Sequence, residues 1–226
     1  MLWLNGREQH PDIAIVGDSL TVGEHASSPF RSYPRLVHAA LSADANRRLS
    51  FRVTAVSGAR VVDLAGRELP IARRVAIVEA GTNDWLGQRP AGPCPPTELD
   101  AFAAGYCQLL DRVDDGRAAA LVCLGIWGPK GQRGRIGGRL AEYEAAISAA
   151  CEVRGGVMVT LSPVYEEAAA RGPAERRTPF GVSDEMHPND QGHARIAGLV
   201  IDAVREALSP HRPIVTPEVE SAAAAG

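Results

Sequence analysis

The sequence predicts an α/β protein in which five parallel strands form a sheet with helices packed on both faces. Three observations predict this fold class. Five short apolar runs recur along the chain, helical patterns separate them, and turns containing glycine follow the first three runs. Strands buried on both faces are apolar throughout, and their alternation with helices is typical of a parallel sheet. With 226 residues, the chain is long enough to bury a full core in one domain.

The first half of the chain carries three of the predicted strands, at residues 12–16, 51–56 and 75–79. Each is a short run rich in apolar and β-branched residues, bounded by turn-forming residues. The segments at residues 33–41 and 60–66 are predicted helices, the first because its apolar residues recur at helical spacing.

The second half continues the alternation. Thr97 and Asp190 each stand at the start of a helical pattern, and both residue types can cap a helix. Two segments rich in glycine or proline, residues 87–96 and 125–138, are predicted loops. The predicted elements are a helix at 98–113, a strand at 118–124, a helix at 139–153, a strand at 157–161 and a final helix after residue 190.

The chain divides into one folded domain, residues 1–208, and a C-terminal tail, residues 209–226. The tail contains three prolines, ends in Ala-Ala-Ala-Ala-Gly and is expected to be disordered. A net charge of −3 gives no reason to expect nucleic acid as a partner. The first residues lack a signal-peptide pattern and no stretch is long enough to span a membrane, so we expect no stable membrane insertion.

The four cysteines are widely spaced and form no Cys-x-x-Cys pair. Three of them, Cys107, Cys123 and Cys151, stand in apolar contexts and are predicted to be buried free thiols rather than disulfide partners or metal ligands. This usage, with the absent signal pattern, favours a cytoplasmic location.

Candidate site residues follow the first three predicted strands. Ser19 comes after the first, Gly58 after the second and Asn83 after the third, while Asp184 and His187 follow the fifth. Ligands of an open parallel sheet bind beyond the carboxyl ends of its strands. In the strand order 2-1-3-4-5 the first and third strands are neighbours where a crevice opens, so we expect these residues to meet there.

The residue types predict acyl transfer. A serine hydroxyl becomes a strong nucleophile when a histidine accepts its proton and a carboxylate orients that histidine. Ser19, His187 and Asp184 supply these parts, in the chain order Ser, Asp, His. The Ser19 N–H, the Gly58 N–H and the Asn83 amide are candidate donors to the oxyanion.

Four short motifs carry a family resemblance. Gly17-Asp18-Ser19-Leu20, Gly58, Gly81-Thr82-Asn83-Asp84 and Asp184-x-x-His187-Pro188 resemble the conserved blocks of the SGNH hydrolases, the GDSL-type esterases and lipases. The resemblance spans residues 12–205. It implies a flavodoxin-like three-layer α/β/α sandwich, a Ser19–His187–Asp184 triad, an oxyanion hole from Ser19, Gly58 and Asn83, and hydrolysis of a carboxylic ester without a cofactor or metal.

Six further residues are predicted to contact a small-molecule ester. Aromatic and apolar side chains would form the walls, and cations of the 125–138 loop would meet an anionic group of the substrate. The candidates are Leu20, Trp85, Trp127, Lys130, Arg133 and Arg135. The histidines outside the triad, including His25 and His193, are expected at surface or structural positions.

Alternatives stay open at this point. An α/β-hydrolase would need Gly-x-Ser-x-Gly, but residue 21 is threonine, and no Gly-x-Gly-x-x-Gly follows the first strand. A flavodoxin-like FMN-binding module would not explain Asp184 and His187, which by themselves could form half of a metal site. An acyltransferase would use the same acyl-enzyme and cannot be separated from a hydrolase by sequence.

Overall fold

The computed structural model describes residues 10–89, 92–128, 139–172, 177–178, 181–182 and 186–209. A five-stranded parallel sheet lies at its centre, as predicted. Numbered along the chain, its strands are β1 (Ile13–Gly17), β2 (Phe51–Ala55), β3 (Val75–Glu79), β4 (Ala120–Leu124) and β5 (Val157–Val159). Their order across the sheet is β2-β1-β3-β4-β5, so the predicted order 2-1-3-4-5 is confirmed.

Helices connect the strands and cover both faces of the sheet. They are α1 (Ser19–Val22), α2 (Tyr33–Asp44), α3 (Val61–Ala65), α4 (Thr82–Leu86), α5 (Leu99–Val113), α6 (Leu140–Glu152), α7 (Ser162–Glu166) and α8 (Asp190–Ala207). None of the helices in the described ranges combines the length and the apolar content that crossing a bilayer requires.

The side chains of each strand divide between two separate cores. Ile13 and Ile15 of β1 pack with the buried residues of α2 and α8, whereas Ala14 and Val16 pack with those of α3, α5 and α6. This division follows from strand geometry, because successive side chains point to opposite faces. It explains why β1 and β4 are apolar at every position and why their sequences show no polar–apolar alternation.

The helix starts differ in detail from the sequence predictions. Thr97 does not cap α5, whose N-cap is Glu98; its hydroxyl instead donates a hydrogen bond to Asp84 at 2.6 Å. The cap of α8 is Asn189, which accepts from two backbone N–H groups, and Asp190 lies inside the helix. The predicted 87–96 loop includes a short antiparallel pairing of Gln88–Arg89 with Gly92–Pro93.

The strand register shows that β1, β2 and β3 end together at one edge of the sheet. Gly17, the last residue of β1, pairs with Ala55 of β2 on one side and with Glu79 of β3 on the other. The three strands therefore end at the same level, and the segments that follow them leave the sheet side by side. This alignment gathers the turns that carry Ser19 and Asn83.

Candidate active site

Ser19 is the first residue of α1, at the turn where β1 ends. The Asp18 side chain caps this short helix by accepting a hydrogen bond from the Leu20 N–H at 3.1 Å. Gly17 has no room for a side chain, because a Cβ there would lie 2.6 Å from the carbonyl oxygen of Glu79. The turn therefore requires glycine before Asp18, and it holds Ser19 at the carboxyl edge of the sheet.

His187 lies directly against Ser19. The Nε2 atom of the imidazole and the Oγ atom of the serine are 2.9 Å apart, within hydrogen-bond distance. The structure thus brings together two residues that the sequence separates by 168 positions. Asp184, the predicted partner of the histidine, lies outside the described residues.

The segment around His187 is held by neighbouring backbone and side chains. The indole Nε1 of Trp127 donates to the Met186 carbonyl at 2.7 Å, and the Gly172 N–H donates to the His187 carbonyl at 2.9 Å. Asn189 begins α8 two residues later. Because these bonds fix the backbone on both sides of His187, the imidazole is positioned by tertiary contacts.

Asn83 connects the ends of three strands. Its Nδ2 group donates to Asp18 Oδ2 at 2.8 Å and to the Ala59 carbonyl at 3.0 Å. Ala59 follows Gly58, whose φ of 72° is in the left-handed region that favours glycine. Asn83 is thus bonded to the residue before Ser19 and to the residue after Gly58, and in this arrangement both of its Nδ2 protons bond to protein oxygens. Donation to an oxyanion would exchange one of these bonds.

Two buried carboxyl groups lie beneath the serine. Glu79 Oε2 accepts from the Asp18 N–H at 3.1 Å and from the Thr21 hydroxyl at 3.0 Å. Burial, and then the charge of Glu79, raises the pKa of Asp18 well above its ordinary value, and burial raises the pKa of Glu79 as well. Glu79 Oε1 has no hydrogen-bond partner among the described residues. This pair therefore favours retaining a proton.

Glu24 and His25 also border the site, although the sequence analysis did not single out Glu24 and expected His25 at a surface or structural position. The His25 ring stacks on His187 with centroids 4.9 Å apart and an interplanar angle of 7°. Glu24 Oε2 lies 3.3 Å from His187 Nε2, and the Ser57 hydroxyl donates to the other oxygen of that carboxylate. His25 is buried at the site rather than at the surface. The adjacency of Glu24 and His25 behind a glycine was the one available signal.

His193 fixes the backbone of the Glu24–His25 segment. It is fully buried in α8, its Nδ1 accepts from the Tyr33 N–H at 3.3 Å, and its Nε2 lies 3.0 Å from the Glu24 carbonyl. Since a carbonyl accepts only, Nε2 carries the proton and donates, so the ring is neutral. Burial lowers the pKa of His193 to about 4, which is consistent with that assignment. The expectation of a structural role fits this placement.

Three of the predicted substrate contacts are buried. Leu20, Trp85 and Trp127 are 0%, 3% and 0% exposed. The sequence analysis expected Trp127 to form a wall of the substrate site from the 125–138 loop, and its indole is fixed after β4 by the bond to Met186. In this arrangement the three side chains support the crevice from within rather than presenting a face to solvent. Lys130, Arg133 and Arg135 lie outside the described residues.

The family assignment rests on a match over most of the chain. The model of the GDSL-like lipase/acylhydrolase family matches residues 15–195, from within β1 into α8. The chain belongs to this family. The GDSL-like protein is therefore a carboxylic ester hydrolase, and the Ser19 turn and His187 both lie inside the matched range.

Solved structures share its fold. An α/β-hydrolase enzyme, LAE5, from the metagenome of Lake Arreo, Spain, is 21% identical with a TM-score of 0.61, covering 87% of this chain and 95% of that one. A mutant of the acetyl-xylooligosaccharide esterase Axe2 from Geobacillus is 18% identical with a TM-score of 0.62, covering 89% and 96%. Comparison with curated protein sequences gives no significant match.

Proposed function

We propose that the GDSL-like protein is a serine esterase that acts through an acyl-enzyme formed on Ser19. The observation that carries this proposal is the 2.9 Å separation between Ser19 Oγ and His187 Nε2. At this distance the hydroxyl can donate its proton to the imidazole as it attacks the ester carbonyl. His187 then returns the proton to the leaving alcohol.

Deacylation repeats the same steps with water as nucleophile. His187 accepts a proton from the water that attacks the acyl-enzyme, and Ser19 leaves with that proton restored. Asp184 is proposed to orient the ring from Nδ1 and to stabilise the imidazolium. The Ser19 N–H, the Gly58 N–H and the Asn83 amide are proposed to donate to the oxyanion in both half-reactions.

The substrate is proposed to be an acyl or acetyl ester of a small molecule, sugar or lipid. Acetylated carbohydrates are the first class to test, because similar structures include an acetyl xylan esterase and an esterase active on acetylated mannans. The partly exposed Glu24 carboxylate beside His187, and the Ser57 hydroxyl bonded to it, support an alcohol portion that carries further hydroxyl groups, since both side chains can bond to hydroxyls.

The decisive experiment is labelling with a fluorophosphonate probe, which traps an activated serine. The wild type should be labelled and Ser19→Ala should not, with kcat reduced about 10⁴-fold or more. Ser162→Ala is the matched control, because Ser162 is also a buried serine at the start of a short helix after a strand of the same sheet. Equal labelling of wild type and Ser19→Ala would exclude Ser19 as the nucleophile.

A further inference from the structure

Three side chains with metal-binding atoms meet beside Ser19. Glu24, His25 and His187 each offer one ligand atom, and these atoms lie within 4.8 Å of one another. Imidazole nitrogens and a carboxylate oxygen are ligands that Zn²⁺ accepts. We propose that this cluster binds a divalent transition-metal ion such as Zn²⁺, and that the bound ion reversibly inhibits the esterase.

The spacing of two of the ligands already suits a metal ion. His187 Nε2 and Glu24 Oε2 are 3.3 Å apart. Two ligands at zinc–ligand distances of roughly 2.0–2.2 Å in tetrahedral geometry are about 3.3 Å from each other. His25 must move farther than Glu24 to bind the same ion, because its ring is stacked parallel to that of His187 and the ring nitrogens do not point at a common position. A side-chain rotation that brings its nitrogen closer by roughly 1–2 Å completes a three-ligand set.

The supporting bonds hold Glu24 in a ligating position. The Ser57 hydroxyl donates to Oε1 of the carboxylate, so that Oε2 is the atom directed at His187. The backbone of Glu24 is held by His193 through its carbonyl oxygen. Partners of this kind orient ligating carboxylates in metal sites and increase metal affinity.

The cluster can be reached from solvent. The side chains of His187 and Glu24 are 15% and 23% exposed, so an ion can enter without opening the core. The Glu24 carboxylate contributes negative charge at the entrance, which favours cations over anions. Ser19 Oγ, 2.9 Å from His187 Nε2, is next to the cluster.

Inhibition follows because the metal would bind the nitrogen atom of His187 that the proposed reaction uses. His187 Nε2 has one lone pair, and the proposed reaction uses it to accept the proton of Ser19. A metal ion bound to that lone pair prevents proton transfer for as long as it stays bound. The inhibition therefore rests on the proposed function, whereas binding of the metal does not.

Binding is tested on the full chain after removal of metals with EDTA. Zn²⁺ affinity is measured by calorimetry for the wild type, Glu24→Gln, His25→Asn and the control His38→Asn. Asparagine suits position 25 because the φ of His25 is 65°, a left-handed conformation that asparagine tolerates. His38 is the matched histidine, since its ring bonds to the Leu49 carbonyl instead. We expect roughly tenfold or greater loss of affinity in both cluster variants and none in the control.

The spectrum of bound Co²⁺ gives a second measurement, which separates nitrogen and oxygen ligands from thiolates. Equal Zn²⁺ affinity in the wild type and both cluster variants, or a thiolate spectrum, would overturn the site. Circular dichroism checks that each variant is folded, and either cluster variant alone is sufficient for the test.

Inhibition is measured against the metal-free rate of each variant. The wild type should lose activity with Zn²⁺ and regain it with EDTA, and the inhibitory concentration should rise roughly tenfold or more in His25→Asn. Zn²⁺ binding that leaves esterase activity unchanged would overturn the inhibitory role. If Ser19 is not the nucleophile, fluorophosphonate labelling fails while the calorimetric result stands, so the two failures are distinguishable.

Discussion

The two ends of β1 carry aspartates with opposite electrostatics. At the amino end, Asp12 accepts two hydrogen bonds from Arg47, each 3.0 Å long, and these bonds lower its pKa to about 2. At the carboxyl end, Asp18 is buried beside Glu79, and its pKa is raised. The surroundings of β1 thus favour the charged form of aspartate at one end and disfavour it at the other.

The difference shows how the sheet divides stability from chemistry. At the amino end, the Asp12 carboxylate is paired with the Arg47 guanidinium, and such a pair stabilises the folded state. The carboxyl end gathers carboxyl groups, a serine and a histidine in a confined space, where burial and like charges shift pKa values. Substitutions at the two ends should therefore affect different measurements, and four variants test this division.

The largest expected effect is on catalysis at the carboxyl edge. Asp184→Asn should lower kcat by roughly 10³-fold or more while the protein stays folded, because asparagine cannot orient the base or stabilise the imidazolium. Asp12→Asn, the same change at the residue before β1, should leave kcat unchanged. Wild-type activity in Asp184→Asn would mean that another group orients His187.

A smaller loss is expected for Asn83, the proposed oxyanion donor. Asn83→Ala should reduce kcat by roughly 10²–10³-fold with little change in KM, because the bond strengthens only in the transition state. Steady-state kinetics and the melting temperature should be measured together. Reduced stability with a normal kcat would show that Asn83 serves only to tie Asp18 to Ala59.

Asp12→Asn should instead reduce stability. The native pKa of about 2 lies below the ordinary value of 3.8, so the charged form is favoured in the folded state. Its contribution is present above pH 4 and disappears as the pH falls through 2. Because Arg47 is half exposed, we expect about 1–2 kcal/mol rather than the full linkage value. Urea unfolding of the wild type and the variant at several pH values between about 2.5 and 6 would measure this difference in stability.

Glu79→Gln should show the reverse pH dependence. The pKa of Glu79 is raised in the folded protein, so the wild type loses stability as the pH rises above the ordinary value of 4.5. Glutamine carries no charge at any pH. The stability of the variant relative to the wild type should therefore improve with rising pH, and a flat difference would mean that Glu79 ionises as freely when folded as when unfolded.

Much of the site was predictable because its chemistry is local to strand ends. Ser19, Gly58 and Asn83 each follow an apolar run, and parallel strands end at one edge. Glu24 and His25 could not be found this way. They do not directly follow an apolar run and show no periodicity. Backbone in the left-handed region at Gly23 and His25, which no sequence pattern indicated, brings His25 against His187. The burial of Trp127 could not be predicted either, since it depends on contacts with Met186 and Tyr165.

By itself, the sequence determined the five strands, their parallel pairing and the edge at which the reactive residues gather. Apolar runs and turn residues act through nearest neighbours along the chain, and those interactions are readable without a structure. Only the tertiary structure decided that His25 stacks on His187, which acids are buried together and which carboxylate faces the imidazole. Those relationships join residues such as Glu24 and His187 through space, where the packing of several elements, rather than any one segment, sets the distance.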